Sequence, residues 1–389
     1  MIARALATHS PRAVRDALRA RGWDEVKAEA AAGGWRGAAV ELDGLDSSTI
    51  LALVRYAGEL GLDVLTGDDW AMVGGSSARL SSLARPWVVP SELSGVAEAV
   101  GLQLPAEAVA VWPTARGAIS LDHPVIVGII NTTPDSFSDG GKFLSPDAAV
   151  LQADQLVAEG AGILDVGGES TRPGSEPVPV DEELRRVLPL VEALVKRHPA
   201  IPISVDTVKA EVAAAVLGAG AAIINDVSAL RLDPAMARVV AQGKAGAILM
   251  HSRGTVSTMA RLDHAEYAPD LLTAVRQELA QAMDTALKAG VAVERIVVDP
   301  GFGFAKTAEH NLLLLDQLET LASLGRPVLV GPSRKRFLGS VTGREVAERD
   351  VATAAACVLA YERGARLFRV HNVAIVRDAL AVASAVRGP

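Results

Sequence analysis

The chain of 389 residues is 50% hydrophobic and 22% charged, an ordinary globular composition spread over more length than one average domain needs. Thirty-eight Lys and Arg against 46 Asp and Glu leave a formal net charge of -8, which excludes a global positive field of the kind that gathers nucleic acid backbones. A single cysteine, Cys357, excludes a disulfide within the chain and a Cys-based zinc site; it suits a reducing compartment, so a cytoplasmic location is expected. The first residues lack an apolar core of signal-peptide length, and the runs Val125 to Ile130 and Ile296 to Val298 fall far short of the roughly 20 residues of a membrane helix.

In chain order, the first elements are a helix over Arg12 to Ala31, a strand over Ala38 to Leu42, a helix over Ser47 to Leu60, and strands over Leu62 to Leu65 and Ala71 to Val73. They predict a small α/β or α+β domain. Gly74-Gly75-Ser76-Ser77 has the glycines of a phosphate loop but not the Gly-Lys-Ser/Thr ending, so a Ser-capped turn before a helix over Ala78 to Leu83 is the preferred reading. No chemistry is assigned to this region. All five tryptophans (Trp23, Trp35, Trp70, Trp87, Trp112) precede residue 113, and Pro and Gly punctuate Leu104 to Gly117. The expected domains are therefore residues 1–110 and 111–389.

Beyond that junction, short β-branched runs alternate with longer Ala-, Leu-, Glu- and Arg-rich segments. The strands expected are Val125 to Ile130, Ile163 to Val166, Ile201 to Val205, Ala222 to Asn225, Gly246 to Met250, Arg295 to Val298, Pro327 to Val330 and Arg366 to Val370. Helical spacing is clearest in Asp181 to Arg197, Leu271 to Ala289 and Val351 to Arg363, and Gly160, Gly220 and Gly290 are placed to end helices. Eight such units predict a (β/α)8 TIM barrel rather than an open doubly wound sheet, because Asn131, Asp165, Asp206, Asn225, His251, Asp299, Ser333 and His371 all fall at or just past strand ends. A barrel collects them on one face.

Four groups at those ends carry candidate chemistry. Asn131, in Asn131-Thr132-Thr133-Pro134-Asp135, offers an amide oxygen of the kind a Mg2+ accepts, although turn residues of this type also serve backbone alone. The loop Glu169-Ser170-Thr171-Arg172-Pro173-Gly174 places hydroxyls and a guanidinium where they can close over an anion. Asp206, Asn225 and Asp299, the last opening Asp299-Pro300-Gly301-Phe302-Gly303-Phe304, suit a neutral heterocycle that donates paired N–H groups, or else satisfy loop backbone. Ser333-Arg334-Lys335-Arg336 and Arg369-Val370-His371 put cations after the last two strands, where barrels often bind phosphate. Arg369 and His371, two apart on a strand, face one side.

In this order and on this fold, these motifs closely resemble dihydropteroate synthase over roughly residues 115 to 387. The resemblance implies condensation of 6-hydroxymethyl-7,8-dihydropterin diphosphate with 4-aminobenzoate, releasing pyrophosphate, with Mg2+ as cofactor. It implies that Asp206, Asn225, Asp299 and Lys335 hold the pterin, with Met250, Phe302 and Arg369 around it. Asn131, Arg369 and His371 would bind the diphosphate, and Asn131 the Mg2+. Thr171, Arg172, Pro173 and Ser333 would shape the aminobenzoate pocket, and Asp135 would belong to the first loop. A homodimer formed through the last barrel helices, around Ala352 to Ala356, and inhibition by sulfonamides are also implied.

Thr132, Ser252, Val256 and Asn372 depart from the residues most usual in that family, and none removes an expected ligand. The alternatives are a methyltetrahydrofolate-dependent corrinoid methyltransferase, which has no use for a diphosphate site, and a non-catalytic pterin-binding paralogue. The cations disfavour the first. The intact Asn131, Thr171, Arg172, Asp299 and Lys335 disfavour the second.

Overall fold

The computed structural model describes residues 1–6, 12–33, 38–85, 88–101, 103–104, 109–132, 146–170, 176–268 and 270–387. The chain divides into two compact units, residues 1–107 with 316–325, and residues 108–315 with 326–389. A contiguous division at residue 110 therefore omits the inserted segment 316–325, which chain order alone assigns to the barrel.

The first unit contains β1 (Ile2–Leu6), α1 (Arg12–Ala20), α2 (Glu25–Gly33), β2 (Ala38–Asp43), α3 (Ser47–Glu59), β3 (Asp63–Thr66), β4 (Trp70–Gly75), α4 (Ser77–Leu83) and α5 (Ser94–Gly101). Its sheet is antiparallel in the order β1-β2-β4-β3, which makes the unit α+β. Period-two alternation serves two cores. Val40, Leu42, Ala71 and Val73 face Leu53, Leu80 and Val96, whereas Ala39, Trp70 and Met72 face Val14, Leu18 and Ala28.

The single helix expected over Arg12 to Ala31 is two. Gly22 adopts φ 82° and the side chain of Asp24 accepts the Lys27 N–H at 2.9 Å, so a left-handed turn and a fresh cap interrupt a continuous helical pattern. Strand β1 has no counterpart among the expected elements, because Ile-Ala-Arg-Ala-Leu carries little β-propensity of its own and is fixed by pairing with β2. Ser76 accepts the Arg79 N–H at 3.4 Å and so caps α4, as the turn reading requires.

In the second unit the hairpin β5 (Val111–Thr114) and β6 (Gly117–Ser120) precedes eight parallel strands: β7 (Val125–Asn131), β8 (Ile163–Gly167), β9 (Ile203–Asp206), β10 (Ile223–Asp226), β11 (Gly246–Met250), β12 (Ile296–Asp299), β13 (Leu329–Val330) and β14 (Leu367–Val370). The helices are α6 (Pro146–Glu159), α7 (Val180–Arg197), α8 (Ala210–Gly218), α9 (Met236–Gln242), α10 (Leu271–Lys288), α11 (Ala308–Asp316), α12 (Arg336–Thr342), α13 (Asp350–Glu362) and α14 (Val373–Arg387). The sheet order β12-β11-β10-β9-β8-β7-β14-β13, with a parallel bridge between Val298 and Val328, gives the (β/α)8 barrel. Gly160, Gly220 and Gly290 take φ of 106°, 106° and 95° just past α6, α8 and α10. In the Ala-rich stretch of α13, Thr353, Ala354 and Ala356 are buried and pack inward.

Trp112 belongs to this unit and not to the first. Its fully buried ring packs with Leu121, Val127, Ile163, Ile223, Ile248, Val297, Leu329 and Leu367 at the amino ends of the strands. The indole N–H donates to the Arg295 carbonyl at 2.8 Å, and the Ala115 N–H donates to the Ala222 carbonyl at 3.2 Å. A Cβ at Gly246 would lie 2.9 Å from Trp112 Cζ2, so glycine makes room for the ring. The hairpin thus plugs the barrel floor. Trp112→Ala should lower the unfolding free energy of the barrel by about 3–5 kcal/mol in urea denaturation, since it removes a large apolar group and leaves a void.

Candidate active site

The opposite end of the barrel is polar, and its centre is Arg369 on β14. Its Nε donates to Asp165 Oδ2 at 2.6 Å and its Nη2 to Asp206 Oδ2 at 3.0 Å, which joins the ends of β14, β8 and β9. Asp165 has no exposed surface; its Oδ2 also accepts from Asn225 Nδ2 at 3.3 Å. Its Oδ1 is buried and has no hydrogen-bond partner among the described residues. Burial works against the Arg369 charge, and the two carboxylates more than offset that, raising its pKa.

Burial drives Asp206 and Asp299 upward. Asp206 is held well above the ordinary carboxylate range by desolvation, opposed by Arg369 and reinforced by the negative charges of Asp165, Glu183 and Asp226. Asp299, at the end of β12, is pushed up to about 6 by burial, against the Gly301 N–H it accepts at 2.7 Å and the charge of Lys335. One guanidinium therefore balances several buried acids, leaving the mouth rich in hydrogen-bond acceptors.

The turn after β12 is shaped from beneath. Gly301 and Gly303 have φ of 70° and 77°, and a Cβ at Gly301 would fall 1.9 Å from the His251 carbonyl oxygen. Buried Lys306 donates to the carbonyls of Gly301 and Phe304, both at 3.1 Å, and to His251 Nδ1 at 2.9 Å. Burial lowers the Lys306 ammonium to about 7 and the His251 ring to about 4, so His251 is neutral and its Nε2–H donates to Glu278 at 3.1 Å. Asn311 Oδ1 accepts the Gly303 N–H at 2.7 Å. Phe302 is buried and stacks on Phe337 at 5.8 Å, whereas the ring of Phe304 lies 4.1 Å from Lys335 Nζ. Met250 packs with Phe304 and Val256.

Ser333 and His371 meet across β13 and β14, with Oγ and Nδ1 2.9 Å apart. Beside them Arg334, held at φ 57°, makes a two-point ion pair with Asp350 at 2.6 and 2.8 Å, and Asp350 also accepts from Asn372 at 3.0 Å. Asn131 is half-buried at the end of β7, and a Cβ on Gly167 would sit 3.6 Å from its Oδ1. Asp135, Thr171, Arg172 and Pro173 lie outside the described residues.

The profile of the pterin binding enzymes matches residues 127–371. The chain belongs to this family. It is 48% identical over 262 residues to the dihydropteroate synthase of Synechocystis, an alignment covering 67% of this pterin binding enzyme and 89% of that one. Among solved structures it is similar to Xanthomonas albilineans dihydropteroate synthase with 4-aminobenzoic acid (46% identity, TM-score 0.65, 70% of this chain and 96% of that chain). The same bacterium's enzyme in complex with 7,8-dihydropteroate matches at 44% identity and TM-score 0.62, covering 70% and 97%. No helix among the described residues is long and apolar enough to cross a membrane.

The residues that depart from the family's usual pattern have local partners. Thr132 donates its hydroxyl to the Gly167 carbonyl at 3.1 Å, tying β7 to β8, and Ser252 donates to the Val227 carbonyl at 2.6 Å. Asn372 supplies an amide N–H to Asp350 where a carboxylate would meet another carboxylate. Asp165, Lys306 and Asn311 are site residues that the sequence reading did not select. Position alone marked Asp165, at a strand end; Lys306 and Asn311 lie past the Asp299 motif and act on its backbone.

Arg369→Ala should destabilise the pterin binding enzyme by about 3–5 kcal/mol in denaturant unfolding at neutral pH, because it strands Asp165 and Asp206 without their cation. Acidification should recover part of the loss, as protonating the orphaned acids removes their charge.

Proposed function

We propose that the chain is a dihydropteroate synthase that joins 4-aminobenzoate to 6-hydroxymethyl-7,8-dihydropterin diphosphate. The observation that carries this reading is the acceptor set of buried Asp165, Asn225 and Asp299 with half-buried Asp206, beside Lys335 and Arg369. A pterin presents ring N–H and amino donors along one edge, and a row of largely buried acceptors recognises such an edge. Relatives solved with 4-aminobenzoic acid and with 7,8-dihydropteroate support the same substrates.

In this reading Asp206, Asn225 and Asp299 accept from the pterin, and Lys335, held over Phe304, donates to it. The C–O bond to the diphosphate breaks as the arylamine nitrogen forms its bond to the same methylene, and the amine then loses a proton. Electron deficiency spreads from that methylene into the ring, where the negative charge of Asp206 and Asp299 stabilises it. Cations near the ends of β13 and β14, with His371, face the leaving pyrophosphate. Thr171, Arg172 and Pro173, with Ser333, are assigned to aminobenzoate and Asp135 to the first loop. No nucleophilic side chain is required.

Asn131 offers one amide oxygen to a Mg2+ that fills the rest of its shell with water and substrate phosphate, and Gly167 puts no side chain on the side of Oδ1 where a Cβ would lie 3.6 Å away. Such an ion, when bound, neutralises charge growing on the leaving group. The assembly proposed is a homodimer through α13 and α14, whose outward faces carry exposed Val351, Leu359 and Val382; a cytoplasmic location is part of the same reading.

Purified protein should release pyrophosphate only when both substrates and Mg2+ are supplied, with sulfonamides competing against 4-aminobenzoate. Absence of release with all three present would reduce the reading to pterin binding. Affinity should also titrate. Asp206 and Asp299 serve the pterin as carboxylates in this reading, so the dissociation constant for the pterin diphosphate should be flat well above pH 7, begin to rise as Asp206 takes a proton near 7, and rise more steeply once Asp299 follows below about 6. Calorimetry at a series of pH values would show this, and a constant affinity across that range would remove the two carboxylates from the contact.

A further inference from the structure

Below the second loop lies a charged cluster that the reaction does not use. Lys209 stands at the amino end of α8, three residues past β9. Its Nζ donates to Glu169 Oε2 at 2.8 Å and to the carboxylate of Glu183, which lies in the first turn of α7 and has no exposed surface. Glu169 does a second thing: its Oε1 accepts the Val178 N–H at 2.6 Å. The side chain at the start of the loop therefore holds the backbone at its return. Arg186, one turn along α7 from Glu183, donates to the Gly168 carbonyl at 2.9 Å. A Cβ at Gly168 would lie 2.7 Å from Val187 Cγ1 and 3.0 Å from Glu183 Cγ, so the backbone is pressed onto α7.

Glu169 and Val178, which flank residues 171–175 in the chain, are thus joined through one carboxylate that an ammonium holds. One lysine between two carboxylates is an expensive way to stabilise a barrel, because the second acid is not neutralised; apolar packing would serve stability better. Charged groups held in one geometry specify direction instead. Among the described residues Lys209 makes no hydrogen bond or ion pair with the Arg369 cluster or with the turn after β12.

We propose that Lys209, acting through Glu169 and Glu183, is a positioning residue for the arylamine substrate: it fixes where the second loop leaves and re-enters the barrel rim. The inference rests on the synthase reading above. A misplaced loop weakens the arylamine pocket, whereas the pterin pocket, whose residues come from β9, β10 and β12, feels the cluster only through the charge of Glu183 on Asp206, an effect that vanishes at a pH where Asp206 is ionised with or without Lys209.

The test uses the full chain and its Lys209→Met, Lys209→Arg and Glu169→Gln variants. For Lys209→Met the KM for 4-aminobenzoate should rise about tenfold, while direct calorimetric affinity for the pterin diphosphate, measured well above pH 7 so that Asp206 is ionised in both proteins, stays within about twofold. Lys209→Arg, which keeps the charge, should restore most of the difference. If Lys209→Met does not fold, Glu169→Gln keeps an acceptor for Val178 and loses the ion pair, and it should raise the same KM in a smaller measure. An active wild type whose variants change both substrates equally, or neither, overturns this proposal alone. A wild type that releases no pyrophosphate overturns the synthase reading and this proposal with it.

Discussion

Arg369 reaches from β14 to Asp165 on β8 and Asp206 on β9, and the polar end of the barrel is organised around that reach. Without it, acids from two strands would repel one another in a space from which water is largely removed. With it, one acid keeps an unpaired buried oxygen and a second stays poised above its usual pKa. The cation is deliberately insufficient. A fully neutralised cluster would be stable and inert, whereas an under-neutralised one retains acceptors for a ligand that arrives with N–H groups.

A second layer keeps those groups in register. Lys306 and Asn311, the former also bonded to His251, hold the turn after β12 by its backbone carbonyls and amides, whereas Asp350 joins the loops after β13 and β14 side chain to side chain through Arg334 and Asn372. The strained backbone at Ala305 and Arg334 is tolerated because such partners over-determine it.

Much of this was legible in the sequence, for physical reasons. Buried parallel strands on a barrel read as continuous apolar runs, so all eight were visible, and several extend one residue further because their polar end residues still pair. The Asp299 motif and the period-two spacing of Arg369 and His371 located the mouth. What stayed hidden was pairing: Asp165 and Asp206 lie 204 and 163 residues from Arg369 in the chain, and spacing carries no information across such distances. Buried Lys306 and half-buried Lys209 were hidden too, since a lone lysine in the chain carries no sign of what the fold packs around it. Near the amino end, tertiary pairing created β1 and a glycine turn split a helix. Trp112, just past the expected division at residue 110, packs in the second unit, a role that its place among the early tryptophans did not signal.

The floor built from Trp112 has a consequence for how the two ends of the barrel divide their labour. The indole and the apolar strand starts around it carry packing at the amino end, so a substitution there registers as lost stability. The residues at the carboxyl end are then free to be polar and under-neutralised, because the barrel draws its apolar cohesion from the other end. Load and recognition sit at opposite ends of one sheet.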